Sequence, residues 1–221
     1  MTSVDRPTPP TSAAAAPRRS GATKSAILEA ARERLLADGF ARLSTRGVAE
    51  AAGVPLSQLH YYFGSKQGLI LELLDSENSR RLARQTAMYA EDRPLWQRYE
   101  QACDFLEDDL ESGYVRVLQE MIATGWSDPT IGARVRELLQ GWVDLVTEVA
   151  REAERSFGAL GPFTAEEIGA LISQMFMGAE AMLLLGFDRT QWPIRAALRR
   201  VGVVIRQLEE RGPADAGGGA G

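Results

Sequence analysis

Between Leu43 and Lys66 the chain reads LSTRGVAEAAGVPLSQLHYYFGSK, a segment dense in side chains that hydrogen-bond without doing catalysis. Arg46 can grip a phosphate or read guanine with a two-pronged fork, and Gln58 can read adenine the same way. Small residues such as Ser57 at a helix start let a backbone come close to a base edge. His60 is the sole histidine and Cys103 the sole cysteine. No nucleophile and no orienting carboxylate stands at an obvious spacing from His60, so acid–base or covalent catalysis is not expected. One His and one Cys give no basis for a zinc site. A lone Cys forms no intrachain disulfide, which fits a cytoplasmic location. No cofactor, no metal and no enzymatic activity are therefore expected.

The segment must be placed by short helices. Ser44 is a good N-cap for a helix from Thr45 to Ala52, Gly53 supplies a left-handed turn, and a second short helix runs from Pro55 to about Tyr62. Val48, Ala49, Ala52, Val54 and Leu59 have the spacing to pack the two together. Thr45, Arg46, Leu56, Ser57, Gln58, His60 and Tyr61 are left facing outward. Two short helices around a glycine turn form the unit that puts one helix into a major groove. An earlier helix is expected from about Thr23 to Asp38, with Ile27, Ala30, Ala31 and Leu35 on one stripe and Gly39 ending it. Ser65 caps a long fourth helix carrying Leu69, Ile70, Leu73 and Leu74. Phe63 reads as a core residue more readily than as a DNA contact.

Residues 23–70 resemble the N-terminal DNA-binding domain of TetR-family regulators. The matching residues are Ile27-Leu28 with Ala30-Ala31, Gly39-Phe40, Ser44-Thr45-Arg46 with Val48-Ala49, Ala52-Gly53-Val54, Leu59, Tyr61-Tyr62-Phe63 and Ser65-Lys66. The resemblance implies that Thr45 and Arg46 contact phosphate and bases and that Ser57, Gln58 and His60 face bases. It also implies that Tyr61 and Tyr62 lie along the DNA backbone and that Lys66 binds phosphate. Four positions depart from the family pattern. Pro55 stands where a capping Ser is usual, Ser57 replaces a common Gly, His60 a common Tyr, and Gly68 a common acidic residue.

The back of the chain is helical by composition and carries no motif. Pro94 opens a helix to about Glu111, and a shorter one covers Tyr114 to Thr124. Asp128-Pro129 starts one that reaches Phe157. Thr164 with Glu167 makes a capping box for 164–186, and Pro193 opens the last helix, stopped by Gly212-Pro213. Phe105, Tyr114, Met121, Trp126, Trp142, Met175 and Met182 are candidates to line a ligand pocket, with a core role as the plainer alternative. Glu107, Asp108 and Asp109 read as a solvated face, so the back half shows no charged constellation. Leu171, Gly178, Ala179, Met182, Ala197, Val201, Val204 and Leu208 recur at helical spacing and suit a dimer interface built by the last two helices.

Residues 1–85 hold 12 Lys and Arg against 8 Asp and Glu, and the remainder holds 13 against 22, so a basic front precedes an acidic back. Residues 1–22 lack an apolar signal-peptide core, and Arg18 and Arg19 could touch a polyanion. The longest apolar run, Met175 to Phe187, is broken by Gly178 and Glu180, so no membrane association is expected. The expected fold is all-α with about nine helices. Its parts are a disordered arm (1–22), a helix-turn-helix domain (23–66), a ligand-binding and dimerisation domain (67–211) and a disordered tail (212–221). The expected function is a cytoplasmic DNA-binding regulator. It would be a homodimer on a palindromic operator, released from it by a small apolar or aromatic effector. An activator, or a helical carrier or enzyme with vestigial front helices, is the alternative.

Overall fold

A computed structural model describes residues 16–189 and 192–211, so the tail at 212–221 and the first fifteen residues of the expected arm lie outside the described residues. Nine helices make up nearly all of this: α1 (Ala16–Arg42), α2 (Thr45–Ala51), α3 (Leu56–Phe63), α4 (Lys66–Tyr89), α5 (Leu95–Glu111), α6 (Tyr114–Gly125), α7 (Pro129–Phe157), α8 (Ala165–Leu184) and α9 (Ile194–Arg211). The fold is all-α as expected, apart from a two-residue antiparallel ladder, β1 (Asp188–Arg189) with β2 (Trp192–Pro193). The chain divides into two compact units, residues 1–70 and 71–221.

In the first unit, α1 begins at Ala16, seven residues before the Thr23 expected from the stripe. Gly39, at φ 76° and ψ 167°, breaks the helix where the sequence places its end, and a short turn follows to Arg42. Ile27, Ala30, Ala31 and Leu35 of α1 join Leu43, Val48, Ala49, Leu59, Phe63, Leu69 and Ile70 in one core.

In the second unit, the turns are fixed by side chains that satisfy open helix ends. Asp128 accepts from the backbone of Thr130 and Ile131 at the start of α7, and Thr164 and Glu167 close the expected capping box on α8. Pro94 offers α5 no side-chain cap. Instead the Glu209 carboxylate, from the end of α9, accepts from Leu95 N at 2.8 Å and Trp96 N at 3.2 Å. That anion also sits at the positive end of the α5 dipole. Helices α7 and α8 approach closely at Gly169, where an added Cβ would lie 2.3 Å from Thr147 Oγ1.

Helix α8 is long and apolar enough, by length and composition, to cross a membrane. The interruption by Gly178 and Glu180 thus does not shorten the apolar segment below spanning length. In the fold α8 packs on α7 and buries Gly169, Ser173, Phe176 and Ala179.

Candidate nucleic-acid interface and cavities

The turn between α2 and α3 is built from backbone. Val54 N donates to Ala49 O at 3.0 Å and Gly53 N to Glu50 O at 3.2 Å. This is the paired bonding of a Schellman turn, which needs the left-handed φ of 66° that Gly53 adopts. Ser44 accepts from Gly47 N at 3.1 Å and so caps α2. Helix α3 buries Leu59 and Phe63, and Pro55 gives it no side-chain cap, as its type requires.

What α3 does not bury it presents. Ser57, His60 and Tyr61 are exposed, Tyr61 by 83%, while Leu56, Gln58 and Tyr62 are half-buried. Tyr61 and Tyr62 meet edge to face at 5.3 Å between ring centres. Arg46 is exposed on α2 beside half-buried Thr45, and half-buried Lys66 opens α4. The His60 Nδ1–H donates to Gly64 O at 2.9 Å, which closes the end of α3 and leaves Nε2 as the atom available to a ligand. Gly68 has a local steric cause: a Cβ there would lie 2.1 Å from the Phe63 carbonyl oxygen. Its N–H also donates to Ser65 Oγ at 3.0 Å, so Ser65 caps α4.

Two of the cavities among the described residues of the second unit are of opposite character. One, of about 440 Å³, is walled by apolar side chains of α5, α7, α8 and α9, among them Leu95, Val146, Phe157, Ile172, Val201 and Ile205. Among its described lining side chains only Tyr89 and Tyr99 carry polar atoms, and the Tyr99 hydroxyl is already donating to Leu198 O at 3.0 Å. The other, of about 70 Å³, is lined by Asn78, Arg81, Gln85, Asp109 and Glu180, with Tyr114, Trp142 and Phe176 beside them. Tyr99 of the first cavity touches Phe176 of the second at 6.0 Å, and Phe176 touches Trp142 at 5.9 Å.

Of the seven pocket candidates, Tyr114 and Trp142 line the small cavity and none lines the apolar one. Trp126 is 83% exposed, because it is the residue at which the chain leaves α6. Met182 is also open to solvent, and Met121 is fully buried core. Met175 packs against the core cluster, and Phe105 lies there too with the Arg84 guanidinium 3.9 Å over its ring. The back half does contain a charged constellation. Asp109, expected on a solvated face, bonds Arg81 Nε at 2.8 Å and Arg84 Nη2 at 3.1 Å, and Glu107 pairs with Arg195. Asp109's carboxyl is pushed up by burial, against the lowering pull of Arg81 and Arg84. Asp108, the third of that run, is largely exposed. The sequence held one signal of this cavity, the glutamate at 180 inside an apolar helix.

Burial pushes the Glu180 carboxyl up to about 7; Gln119 Nε2, donating at 3.3 Å, lowers it only in part, and Asp109 raises it further. The Cys103 thiol is likewise pushed up, to about 11, by burial, and is no ready nucleophile.

Residues 27–73 match the profile of the bacterial regulatory proteins of the tetR family. No curated protein sequence matches the chain. Its fold is that of many solved structures. A TetR transcription regulator from Haloarcula marismortui is 18% identical, with TM-score 0.68 over 85% of this chain and 97% of that one. The transcriptional regulator FadR from Bacillus subtilis, in complex with stearoyl-CoA, is 14% identical, with TM-score 0.64 over 82% and 96%. A protein from Saccharomonospora viridis in complex with choline is 18% identical, with TM-score 0.66 over 85% and 96%.

The Glu180 carboxyl yields a stability test. Its proton is held to about pH 7 in the fold but to about 4.5 in the unfolded chain. Between those values the folded state keeps a proton that the unfolded state has lost, so stability falls as pH rises, and above 7 the whole penalty applies. Glu180→Gln keeps the shape without the charge. Its melting temperature should exceed that of the wild type by roughly 5 °C at pH 8 and match it closely near pH 5. Thermal denaturation at the two pH values checks this, and an equal gain at both would contradict it.

Proposed function

The chain carries, over residues 27–73, the DNA-binding domain of the tetR-family bacterial regulatory proteins and is a DNA-binding transcription regulator; from that premise we propose that it is a homodimeric, cytoplasmic repressor released from a palindromic operator by a small apolar effector. The observation that carries this reading is the outward face of α2 and α3. Thr45, Arg46, Leu56, Ser57, Gln58, His60 and Tyr61 lie outside the core, and Leu59 and Phe63 lie inside it. Arg46 and Lys66 supply phosphate contacts, Ser57, Gln58 and His60 read base edges, and Tyr61 and Tyr62 lie along the backbone. The protein acts by binding: its one histidine is engaged at the end of α3 and its one cysteine is buried.

A second copy covers the last two helices. Leu171, Met182, Leu185, Val204 and Leu208 are large apolar residues left open on α8, α9 and the turn after α8. Exposure of that many on adjacent elements marks a protein contact. Ala179, also expected there, is buried within its own subunit. Pairing two subunits would let two short recognition helices meet half-sites about 34 Å apart.

The 440 Å³ cavity suits an apolar or aromatic body, since its wall offers almost no hydrogen bonds. The fold is also found with stearoyl-CoA and with choline bound to other proteins, which supports a small-molecule effector. Helix α4 is the proposed lever, because it starts at Lys66 and continues to Tyr89 on the cavity wall. The effector must favour one helix spacing over the other, or it shifts nothing. Repression would appear as a gene expressed more when the protein is deleted, and activation by the same contacts as a gene expressed less.

DNA binding is tested on the DNA upstream of the gene that encodes the protein. Arg46→Ala and Lys66→Ala should each weaken binding and lower the salt slope by about one. Gln58→Ala should relax base preference at one position of each half-site. A triple variant that shifts the probe like wild type refutes the interface. The dimer is tested by light scattering. Val204→Glu places a charge on a side chain already half open in one subunit, so it should yield folded monomers, and an unchanged dimer would refute the α8–α9 interface. The effector is tested with neutral apolar probes, naphthalene and decanol. They should release the DNA, and Ile172→Trp, which fills the cavity, should abolish release but leave DNA binding intact. Release that Ile172→Trp does not alter would refute that cavity as the effector site.

A further inference from the structure

His60 and Gly64 are tied to each other twice. The backbone N–H of Gly64 donates to His60 O at 2.9 Å, and His60 Nδ1 lies 2.9 Å from Gly64 O. A carbonyl oxygen only accepts, so Nδ1 carries the ring proton. In a neutral imidazole one nitrogen donates and the other accepts, which leaves Nε2 with a lone pair and no proton. The chain turns its carbonyl back to the ring at Gly64, whose φ of 69° suits glycine and few other residues. The direction of any hydrogen bond that His60 makes outward is therefore set from inside the protein.

This makes His60 unlike the other polar side chains of α3. The hydroxyls of Ser57, Tyr61 and Tyr62 and the amide of Gln58 each combine a donor with an acceptor, and so suit either kind of base atom. Arg46 and Lys66, on the neighbouring helices, only donate. His60 is exposed and offers a partner an acceptor alone. The bases differ in what they show to such an atom. In the major groove adenine presents its N6 amino group and cytosine its N4 amino group, both donors, whereas guanine presents N7 and O6 and thymine O4, all acceptors. A lone pair brought to guanine or thymine meets another lone pair with no proton between them, and both have lost the water they held.

We propose that His60 Nε2 accepts a hydrogen bond from the amino group of an adenine or a cytosine, and so selects those two bases over guanine and thymine at one position of each half-site. The inference rests on the reading that α3 presents His60 to bases. It adds the chemistry of that contact, which Gly64 O decides by holding the proton on Nδ1. It does not depend on whether the protein represses or activates, or on what effector it answers to.

The test uses the full-length protein at pH 8, where a histidine side chain ordinarily carries no charge. Selection from random duplex DNA should yield adenine or cytosine at one position of each half-site. His60→Ala should make that position unselective and leave the rest of the consensus in place, and His60→Arg, which only donates, should turn it to guanine. Base analogues then read the direction of the bond. Purine in place of adenine, or pyrimidin-2-one in place of cytosine, lacks the amino group. Either should weaken wild-type binding roughly tenfold, and His60→Ala should not distinguish the analogue from the natural base. At an adenine, 7-deazaadenine keeps the amino group and loses the N7 acceptor, so it should cost the wild type no more than it costs His60→Ala. A 7-deaza penalty confined to the wild type, or guanine or thymine at the position that His60→Ala relaxes, overturns the proposal while the base-facing reading stands. A loss in His60→Ala that is equal for every sequence puts His60 on the sugar–phosphate backbone and overturns both, as does no change at all.

Discussion

A helix of eight residues does not hold its shape in water, and α3 is that short. Its shape rests on the burial of Leu59 and Phe63, four residues apart on one side, against a core supplied by α1, α2 and the start of α4. Each buried side chain of that size contributes about 2 kcal/mol, more than the missing N-cap at Pro55 costs. Two anchors in eight leave Ser57, His60 and Tyr61 exposed and free of packing, so residue type there can follow the DNA. The same economy explains the turn at Gly68. The chain reverses so tightly between α3 and α4 that the Phe63 carbonyl fills the space of a Cβ, and the acidic side chain usual in the family would not fit there.

The second unit is governed by a different constraint, the cost of placing charge inside helices. Arg81 is accommodated because three acceptors and a ring surround it. Glu180 has no such arrangement, and its carboxyl responds by holding its proton near neutrality. Ion pairs elsewhere, such as Arg151 with Glu148 and Glu166, are exposed and contribute little. The difference lies in desolvation, not in distance.

Local signals were legible in the sequence wherever chemistry acts within a few residues. Ser44, Ser65, Asp128 and the Thr164–Glu167 box each cap the helix they precede, and Gly53 turns the chain where the spacing requires. The outward residues of α2 and α3 follow from the buried stripe alone. What the sequence did not show was set by partners distant along the chain. Asp109 looks like part of an acidic surface run until Arg81 and Arg84, more than twenty residues earlier, fold over it. Trp126 looks like a pocket aromatic until the end of α6 turns it outward. The early start of α1 was hidden because 16–22 offers no apolar stripe and carries Pro17 and Gly21, residues that more often mark a helix boundary than a helix.

The two cavities meet through a run of aromatic rings. Tyr99 faces the apolar chamber, Phe176 and Trp142 face the polar one, and the rings meet edge to face at 6.0 and 5.9 Å. At interior packing density a ring has nowhere to go but into one chamber or the other. A change in the size of any of these rings would therefore be felt in both chambers.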